Sequence, residues 1–150
     1  MDITIEDASI KQLNELYKIE VECFEREAFS RQHIANLLSD YNCISLVAKT
    51  NGVIVGFIIG MIHIERNALT GHILTIDVSP QYRRRGIAQR LLRKIEEIFK
   101  EKGVKSCRLE VREDNIAALK LYQKLGYKKI GKLENFYGDA HGICFRKELS

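Results

Sequence analysis

The amino-acid sequence predicts a single α/β domain in which helices cover a mixed β-sheet. The chain has 150 residues, of which 45% are hydrophobic and 29% charged, so one sizeable core can be buried. Runs with the alternation of strands recur between segments with the apolar spacing of helices. No repeat, linker or low-complexity stretch divides the chain, which predicts one domain over residues 1–150.

The first half of the chain predicts a short strand, two helices and two further strands. Ile3 and Ile5 alternate with polar residues, which indicates a strand. The helices carry apolar residues three and four apart, and Ser30 is typical of the cap that begins the second. Asn51-Gly52 indicates a hairpin, because both turn residues need a positive φ. The ranges are 3–6, about 9–21, about 31–38, 43–49 and 53–63, with an irregular segment at 23–29.

The second half alternates strands and helices before two final strands. An apolar strand leads through Pro80 and three arginines to Gly86, where an amphipathic helix begins. The following strand alternates apolar and charged residues, so one of its faces is polar. Gly103 and Gly126 are typical of helix ends. The ranges are 73–78, 87–102, 107–112, 115–125, 127–133 and 143–149, with loops at 66–71 and 134–142, and the full order is β-α-α-β-β-β-α-β-α-β-β.

Composition and charge argue against several classes of protein. The net charge of +4 favours an anionic ligand but is too small to indicate nucleic acid by itself. Acidic residues near the start and the lack of a long apolar run predict neither a signal peptide nor a membrane span. The four cysteines have no C-x-x-C spacing, so we expect reduced thiols of a cytoplasmic protein and no metal.

The strand, basic turn and helix start at residues 73–98 together indicate an anion site. The first N–H groups of a helix have no internal partner, and the helix dipole adds partial positive charge there. Gly86 has no Cβ, so a phosphate can approach the backbone closely. Neither G-x-x-x-x-G-K-[ST] nor G-x-G-x-x-G is present. A solvated basic helix start is the alternative interpretation.

Two linked motifs resemble those of the GCN5-related N-acetyltransferase (GNAT) family. Residues 83–88, R-R-R-G-I-A, resemble its acetyl-CoA pyrophosphate loop, [QR]-x-x-G-x-[GA]. Residues 109–127 are similar to its second motif, which has an asparagine at the position of Asn115 and a tyrosine at that of Tyr122. The resemblance extends over residues 5–149 and implies the GNAT fold, with acetyl-CoA as cosubstrate.

The sequence E-V-R at residues 110–112 most resembles one branch of the GNAT family, the protein N-terminal acetyltransferases of the ribosomal-protein-alanine and arrest-defective types. Residues 136–140, F-Y-G-D-A, resemble the Y-Y-x-D-G loop of the arrest-defective enzymes, although Phe136 and Ala140 depart from it and leave side-chain preference open. Membership of this branch implies acetylation of protein N-termini. It leaves open whether the protein binds a ribosome or an auxiliary subunit.

Three other functions stay open. A GNAT enzyme could instead acetylate lysine side chains or a small amine, since the fold does not determine the acceptor. The retained Glu110 and Tyr122 argue against a non-catalytic acetyl-CoA-binding subunit. No wide basic and aromatic face supports specific nucleic-acid binding.

The resemblance implies how the coenzyme is held. In the family, the strand at residues 76–78 bulges and separates from the strand at residues 107–112, so that backbone groups of Ile76 and Val78 bond the pantetheine arm. The N–H of Val78 would then polarise the acetyl carbonyl. Asn115 is expected to cap its helix as well as bond the coenzyme. The predicted coenzyme-binding residues are Ile76, Asp77, Val78, Arg84, Arg85, Gly86, Ile87, Ala88, Gln89, Asn115 and Tyr122.

Glu110 is the predicted general base, acting directly or through a water. It lies on the polar face of its strand, beside the expected separation. Without the resemblance, we would interpret Glu110 as a surface glutamate paired with Arg108 or Arg112. His72 and His141 are the alternative bases.

Tyr122 is the predicted donor to the leaving thiolate, although its spacing alone fits a core aromatic. The acceptor peptide is expected between two loops, because aromatic side chains with a hydroxyl suit peptide recognition. The alternative for the two phenylalanines is ordinary packing. The predicted acceptor-binding residues are Phe24, Glu25, Phe29 and Tyr137.

Overall fold

The computed structural model describes residues 1–149, and Ser150, the end of the predicted domain, lies outside the described residues. The elements are β1 (Thr4–Asp7), α1 (Leu13–Phe24), α2 (Arg31–Leu38), β2 (Cys43–Thr50), β3 (Val53–Glu65), β4 (Ala68–Val78), α3 (Ile87–Glu101), β5 (Ser106–Arg112), α4 (Ile116–Lys124), β6 (Lys128–Leu133) and β7 (Gly142–Glu148). They form a seven-stranded sheet in the order β1-β2-β3-β4-β5-β7-β6. Only β4 and β5 pair in parallel, so the predicted mixed sheet and element order are confirmed.

Local capping and turn residues act as the sequence predicts. The Ser30 side chain accepts the His33 N–H at 3.0 Å and begins α2. Asn115 accepts the Ala118 N–H at 3.1 Å and begins α4. Asn51 and Gly52 have positive φ and join β2 to β3. These features depend on neighbouring residues alone, which is why the sequence reveals them.

Two sequence-based boundaries are wrong. β4 begins at Ala68, inside the predicted loop at 66–71, because Arg66 and Asn67 both adopt positive φ and close a two-residue hairpin. This turn contains no glycine, so the sequence does not indicate a hairpin here. α1 continues through Phe24 into the predicted irregular segment.

Two apolar clusters cover opposite faces of the sheet. α3 buries a stripe of residues three and four apart against one face, and the α4 side chain of Tyr122 joins the same cluster. α1 and α2 pack on the other face, around Leu16, Ile34 and Phe57. The buried residues of α3 are Ile87, Leu91, Leu92, Ile95, Glu96 and Phe99. No helix within residues 1–149 has the length and apolar character needed to cross a bilayer.

β4 and β5 separate after a short parallel ladder. Only three residue pairs join them, the last being His72 with Arg108, whereas β4 continues to Val78 and β5 to Arg112. The β3 partners of β4 skip Leu74, which marks a bulge just beyond the ladder. The predicted separation is therefore observed, with its bulge before residues 76–78 rather than within them. We call the space between the diverging ends of β4 and β5 the gap.

Candidate active site

The backbone of β4 lines the gap with alternate residues. The Ser79 N–H donates to the Val55 carbonyl at 2.9 Å, so Ser79 and Asp77 direct their backbone groups towards β3. The backbone groups of Ile76 and Val78 therefore face the opposite edge, where β5 no longer pairs. This placement brings the backbone groups of Ile76 and Val78 to the gap and directs those of Asp77 away from it.

The Asp77 side chain belongs to a buried acidic cluster. Asp77 and Glu20 are 1% and 2% exposed, and the Thr75 hydroxyl lies 2.5 Å from Asp77 Oδ1 and 3.0 Å from Glu20 Oε1. A hydroxyl carries a single proton, so it can donate to only one of the two carboxyls at a time. Glu20 also accepts the Phe29 N–H at 3.0 Å. The cluster thus connects β4 to the segment between α1 and α2.

Asp77→Asn is expected to flatten the dependence of stability on pH. Burial and the neighbouring Glu20 raise the pKa of Asp77 well above its ordinary 3.8. A carboxyl with a raised folded-state pKa binds more protons when folded, so its stabilisation is complete below 3.8 and is lost as pH rises through the folded-state pKa.

Urea unfolding of the wild type at a series of pH values above 3.8 measures this loss. Glu20→Gln should also flatten the curve, because it removes the neighbouring charge that helps to raise the pKa of Asp77. A wild-type slope retained by both variants would contradict the raised pKa of Asp77.

The predicted phosphate-binding turn has the conformation that its sequence suggests. Arg84 and Gly86 adopt left-handed φ values of 63° and 76°, and the first helical bond of α3 runs from the Arg90 N–H to the Gly86 carbonyl. The N–H groups of Ile87, Ala88 and Gln89 consequently have no partner within the helix. A Cβ built on Gly86 would meet no atom within 4 Å, so the space beside it is open. These donors fit a diphosphate.

The three arginines of this turn point in different directions. Arg83 Nε donates to the Val78 carbonyl at 3.1 Å. The Arg85 guanidinium lies 5.4 Å from the centre of the Tyr82 ring. Among the described residues, the Arg84 side chain makes neither a hydrogen bond nor an ion pair, and it is exposed. Arg84 is thus the arginine best placed to meet an anion.

Glu110 lies at the start of the gap and is paired with two basic side chains. Its Oε1 lies 2.6 Å from His72 Nε2, and its Oε2 accepts Arg108 Nη1 at 2.8 Å. Burial raises the pKa of Glu110, but the hydrogen bond and charge of His72 and the charge of Arg108 outweigh burial and lower it overall. An ionised carboxylate only accepts hydrogen bonds, so His72 Nε2 carries the shared proton. The alternative pairing with Arg108 is therefore real, and it coexists with the His72 contact.

The ion pairs continue from Glu110 to the end of β3. Arg108 Nε donates to Glu65 at 3.1 Å, and His63 lies 2.7 Å from the same Glu65 oxygen. His141, the other histidine considered as a base, instead accepts the Asn135 N–H through Nδ1 at 2.9 Å in the loop after β6. His72 rather than His141 is therefore the histidine beside Glu110.

Tyr122 is buried, as a core aromatic residue would be, yet its hydroxyl has no hydrogen-bond partner among residues 1–149. The residue is 6% exposed, and its ring packs against Tyr127 and Phe145 at centroid distances of 6.0 and 6.3 Å. Burial, with the charges of Asp77 and Tyr137, raises the pKa of Tyr122, so the hydroxyl stays protonated and can donate.

The predicted acceptor residues have different environments. Phe24 is half-buried, and Phe29 packs against the α1–α2 cluster and lies 4.6 Å from the His33 ring. Glu25 is exposed and has a φ of 46°, an uncommon conformation for a residue other than glycine. Burial and the charges of Glu110 and Glu27 raise the pKa of Tyr137 to about 12.

Arg112 joins the two predicted acceptor segments, a role that the sequence did not reveal. Its Nη1 contacts Glu27 after α1 and lies 3.0 Å from Asp139 Oδ1 in the β6–β7 loop. Arg26 also donates to Asp139 at 2.6 Å. The Arg112 guanidinium lies 5.6 Å from the centre of the Tyr137 ring. The polar face predicted for β5 was the one feature that could have indicated Arg112.

Comparison with known proteins gives a family match and named relatives. Residues 11–127 match the family described as acetyltransferase (GNAT). The N-terminal acetyltransferase B complex catalytic subunit NAA20 of Arabidopsis thaliana is 34% identical over 99 residues. These residues make up 65% of this chain and 57% of the plant protein, so the chain matches little more than half of that relative.

Two archaeal proteins are similar over a larger share of their length. The N-alpha-acetyltransferase of Sulfurisphaera tokodaii is 35% identical over 112 residues, which cover 69% of this chain and 67% of the relative. The crystal structure of Ard1 from Thermoplasma volcanium superposes with a TM-score of 0.89 at 26% identity. That alignment covers 99% of this chain and 98% of the archaeal one.

Proposed function

This chain belongs to the GNAT acetyltransferase family, and from that premise we propose that it transfers the acetyl group of acetyl-CoA to the N-terminal amine of protein chains. The observation that carries the proposal is the position of Glu110, paired with His72 where β4 and β5 begin to separate. The names of the plant and archaeal relatives support a protein N-terminus as the acceptor.

The residues around the gap fit a coenzyme that carries a diphosphate. Arg84 and the free N–H groups of Ile87, Ala88 and Gln89 would hold the phosphates, with Gly86 leaving room for their approach. Ile76 and Val78 would bond the pantetheine arm, and the Val78 N–H would polarise the acetyl carbonyl. The Asn115 side chain caps α4 in the structure. We propose that Asn115 also contacts the coenzyme.

We propose that Glu110 and His72 act together as the base. An α-amine has an ordinary pKa of about 7.7–8.0, against about 10.4 for lysine, so its proton is the easier one to remove. Because Glu110 has a lowered pKa, it stays ionised and anchors His72 through Nε2. Because Nε2 already donates to Glu110, the proton that the amine loses on acetylation would pass to His72 Nδ1, and the Glu110 carboxylate would stabilise the resulting charge.

Tyr122→Phe is expected to lower kcat about tenfold, because the lost hydroxyl can no longer donate to the departing thiolate. Affinity for coenzyme A should stay near the wild-type value, since the ring and its packing are kept. Steady-state kinetics with a peptide acceptor and calorimetry with coenzyme A measure the two quantities. Wild-type turnover would remove Tyr122 from the reaction.

Tyr127→Phe is the matched control for Tyr122→Phe. The Tyr127 hydroxyl is buried and donates to Glu96 Oε2 at 2.6 Å, away from the gap. Its removal should cost about 1–3 kcal/mol of unfolding free energy while kcat per folded molecule stays unchanged. The two tyrosines thus separate a loss of stability from a loss of catalysis.

The acceptor N-terminus would enter between the segment after α1 and the β6–β7 loop. Phe24, Glu25 and Phe29 lie on one side and Tyr137 on the other, and Arg112 links the two. Phe29 contacts the core, so we propose that it supports the segment as well as contacting substrate. We also propose that the protein acetylates N-termini in the cytoplasm, where its four free thiols would remain reduced.

Acetyl-CoA offered with a peptide library varied at the first two residues tests the function. An N-terminally blocked peptide containing lysine is the control, and mass spectrometry locates the acetyl group. We expect acetylation of free N-termini with little modification of the blocked lysine peptide. Preferred modification of the lysine would refute the proposed acceptor and favour a lysine-acetylating GNAT enzyme.

A further inference from the structure

Two side chains donate to the carbonyl at the end of β4 and also contact each other. Arg83 Nε donates to the Val78 oxygen at 3.1 Å, and the Cys23 thiol donates to the same oxygen at 3.4 Å. Arg83 Nη2 in turn lies 3.4 Å from the Cys23 sulfur. One arginine side chain therefore joins the turn before α3, the last residue of β4 and the last part of α1.

This carbonyl needs a partner because the sheet no longer provides one. Val78 directs its backbone groups away from β3, and the parallel ladder with β5 ends at His72. A charged donor satisfies such a carbonyl more strongly than a neutral one. Arg83 therefore takes over a bond that a continuing sheet would have made.

The same contacts have consequences on both sides of the gap. Val78 carries the N–H that we propose as the polariser of the acetyl carbonyl. Cys23 immediately precedes Phe24 and Glu25, the start of the proposed acceptor segment. Arg83 points towards these two sites, whereas Arg84 makes no contact of this kind.

We infer that Arg83, the first residue of the phosphate-loop motif, is a positioning residue for acetyl transfer rather than a ligand of the coenzyme phosphates. It holds the end of β4 and the last turn of α1 in the spacing that transfer needs. The inference rests on the proposed function, and it divides the arginines of one motif between two tasks. Arg84 binds the coenzyme, and Arg83 orders the reacting groups.

Arg83→Ala and Arg84→Ala form a matched pair for the test. Calorimetry with coenzyme A should show affinity within about twofold of wild type for Arg83→Ala and about tenfold weaker binding for Arg84→Ala. Acetylation of a peptide N-terminus should show kcat lowered at least about tenfold by Arg83→Ala. Arg83→Lys, which keeps the charge but cannot reach both partners as a planar fork, should recover only part of this loss.

Amide hydrogen exchange tests the positioning role of Arg83 without measuring turnover. Arg83→Ala should speed exchange in the peptides that contain residues 23–29 and Val78, and Arg84→Ala should leave them unchanged. Coenzyme A affinity that falls as far in Arg83→Ala as in Arg84→Ala, or a wild-type kcat, would overturn the inference. If wild type binds coenzyme A but acetylates no peptide, the proposed function fails, and the exchange comparison still decides the role of Arg83.

Discussion

Glu110→Gln is expected to lower kcat about 100-fold at pH 7, the largest loss of any single substitution considered, because general-base catalysis contributes about that much. The amide keeps the shape of the side chain but has no negative charge to stabilise His72 when it takes the proton of the amine. It also weakens the contact in which Glu110 Oε1 lies 2.6 Å from His72 Nε2, because a neutral amide oxygen accepts that N–H less strongly than a carboxylate does. The loss should shrink above about pH 8, where an α-amine enters already neutral.

Glu65→Gln is the control for Glu110→Gln. Glu65 also pairs with Arg108, but it lies at the end of β3 and is 34% exposed. Loss of a partly exposed ion pair should change kcat by no more than about threefold. The pH–rate profiles of both variants and of wild type make the comparison. An undiminished rate at neutral pH in Glu110→Gln would show that another group is the base.

Gly86→Val is expected to weaken coenzyme A binding at least about tenfold, which corresponds to about 1.4 kcal/mol or more. Gly86 has a φ of 76°, and a β-branched residue strains the backbone there by about 1–2 kcal/mol. The added side chain would also occupy the open space through which a phosphate approaches the α3 N-terminus. Calorimetry with coenzyme A and urea unfolding separate the two effects.

Gly52→Val provides a matched control for the backbone strain. Gly52 also has a φ of 76°, and a Cβ built there meets no atom within 4 Å, but it lies in the β2–β3 hairpin. Both variants should therefore lose similar unfolding free energy, while only Gly86→Val loses coenzyme A affinity. Equal affinity in the two variants would contradict the placement of the phosphate site.

The sequence and the structure agree most closely where a feature depends on consecutive residues. Ser30 and Asn115 cap the helices that the sequence predicts, because a cap requires only a side chain and an N–H three positions later. The loop predicted at 66–71 is wrong, since the Arg66-Asn67 turn lacks the glycine that usually marks a hairpin. That error also concealed His72 within β4.

The site could be predicted only in part for a related reason. Glu110 and Tyr122 follow from motifs, but a motif does not show which side chains meet them. Asp77 lies in the predicted stretch of β4, yet strand alternation directs its backbone towards β3 and its side chain towards Glu20. A stretch of consecutive strand residues therefore cannot line one edge together.

Periodicity and the two spaced motifs were sufficient to establish the order of strands and helices, the family and the turn that precedes α3, because each is encoded over short distances along the chain. The partners of the reacting groups came from folding alone. His72 and Glu110 are 38 positions apart, Cys23 and Arg83 are 60 apart, and Glu27 and Arg112 are 85 apart. Strand register and loop placement bring these pairs together, and neither can be read from the residues on one side of the contact.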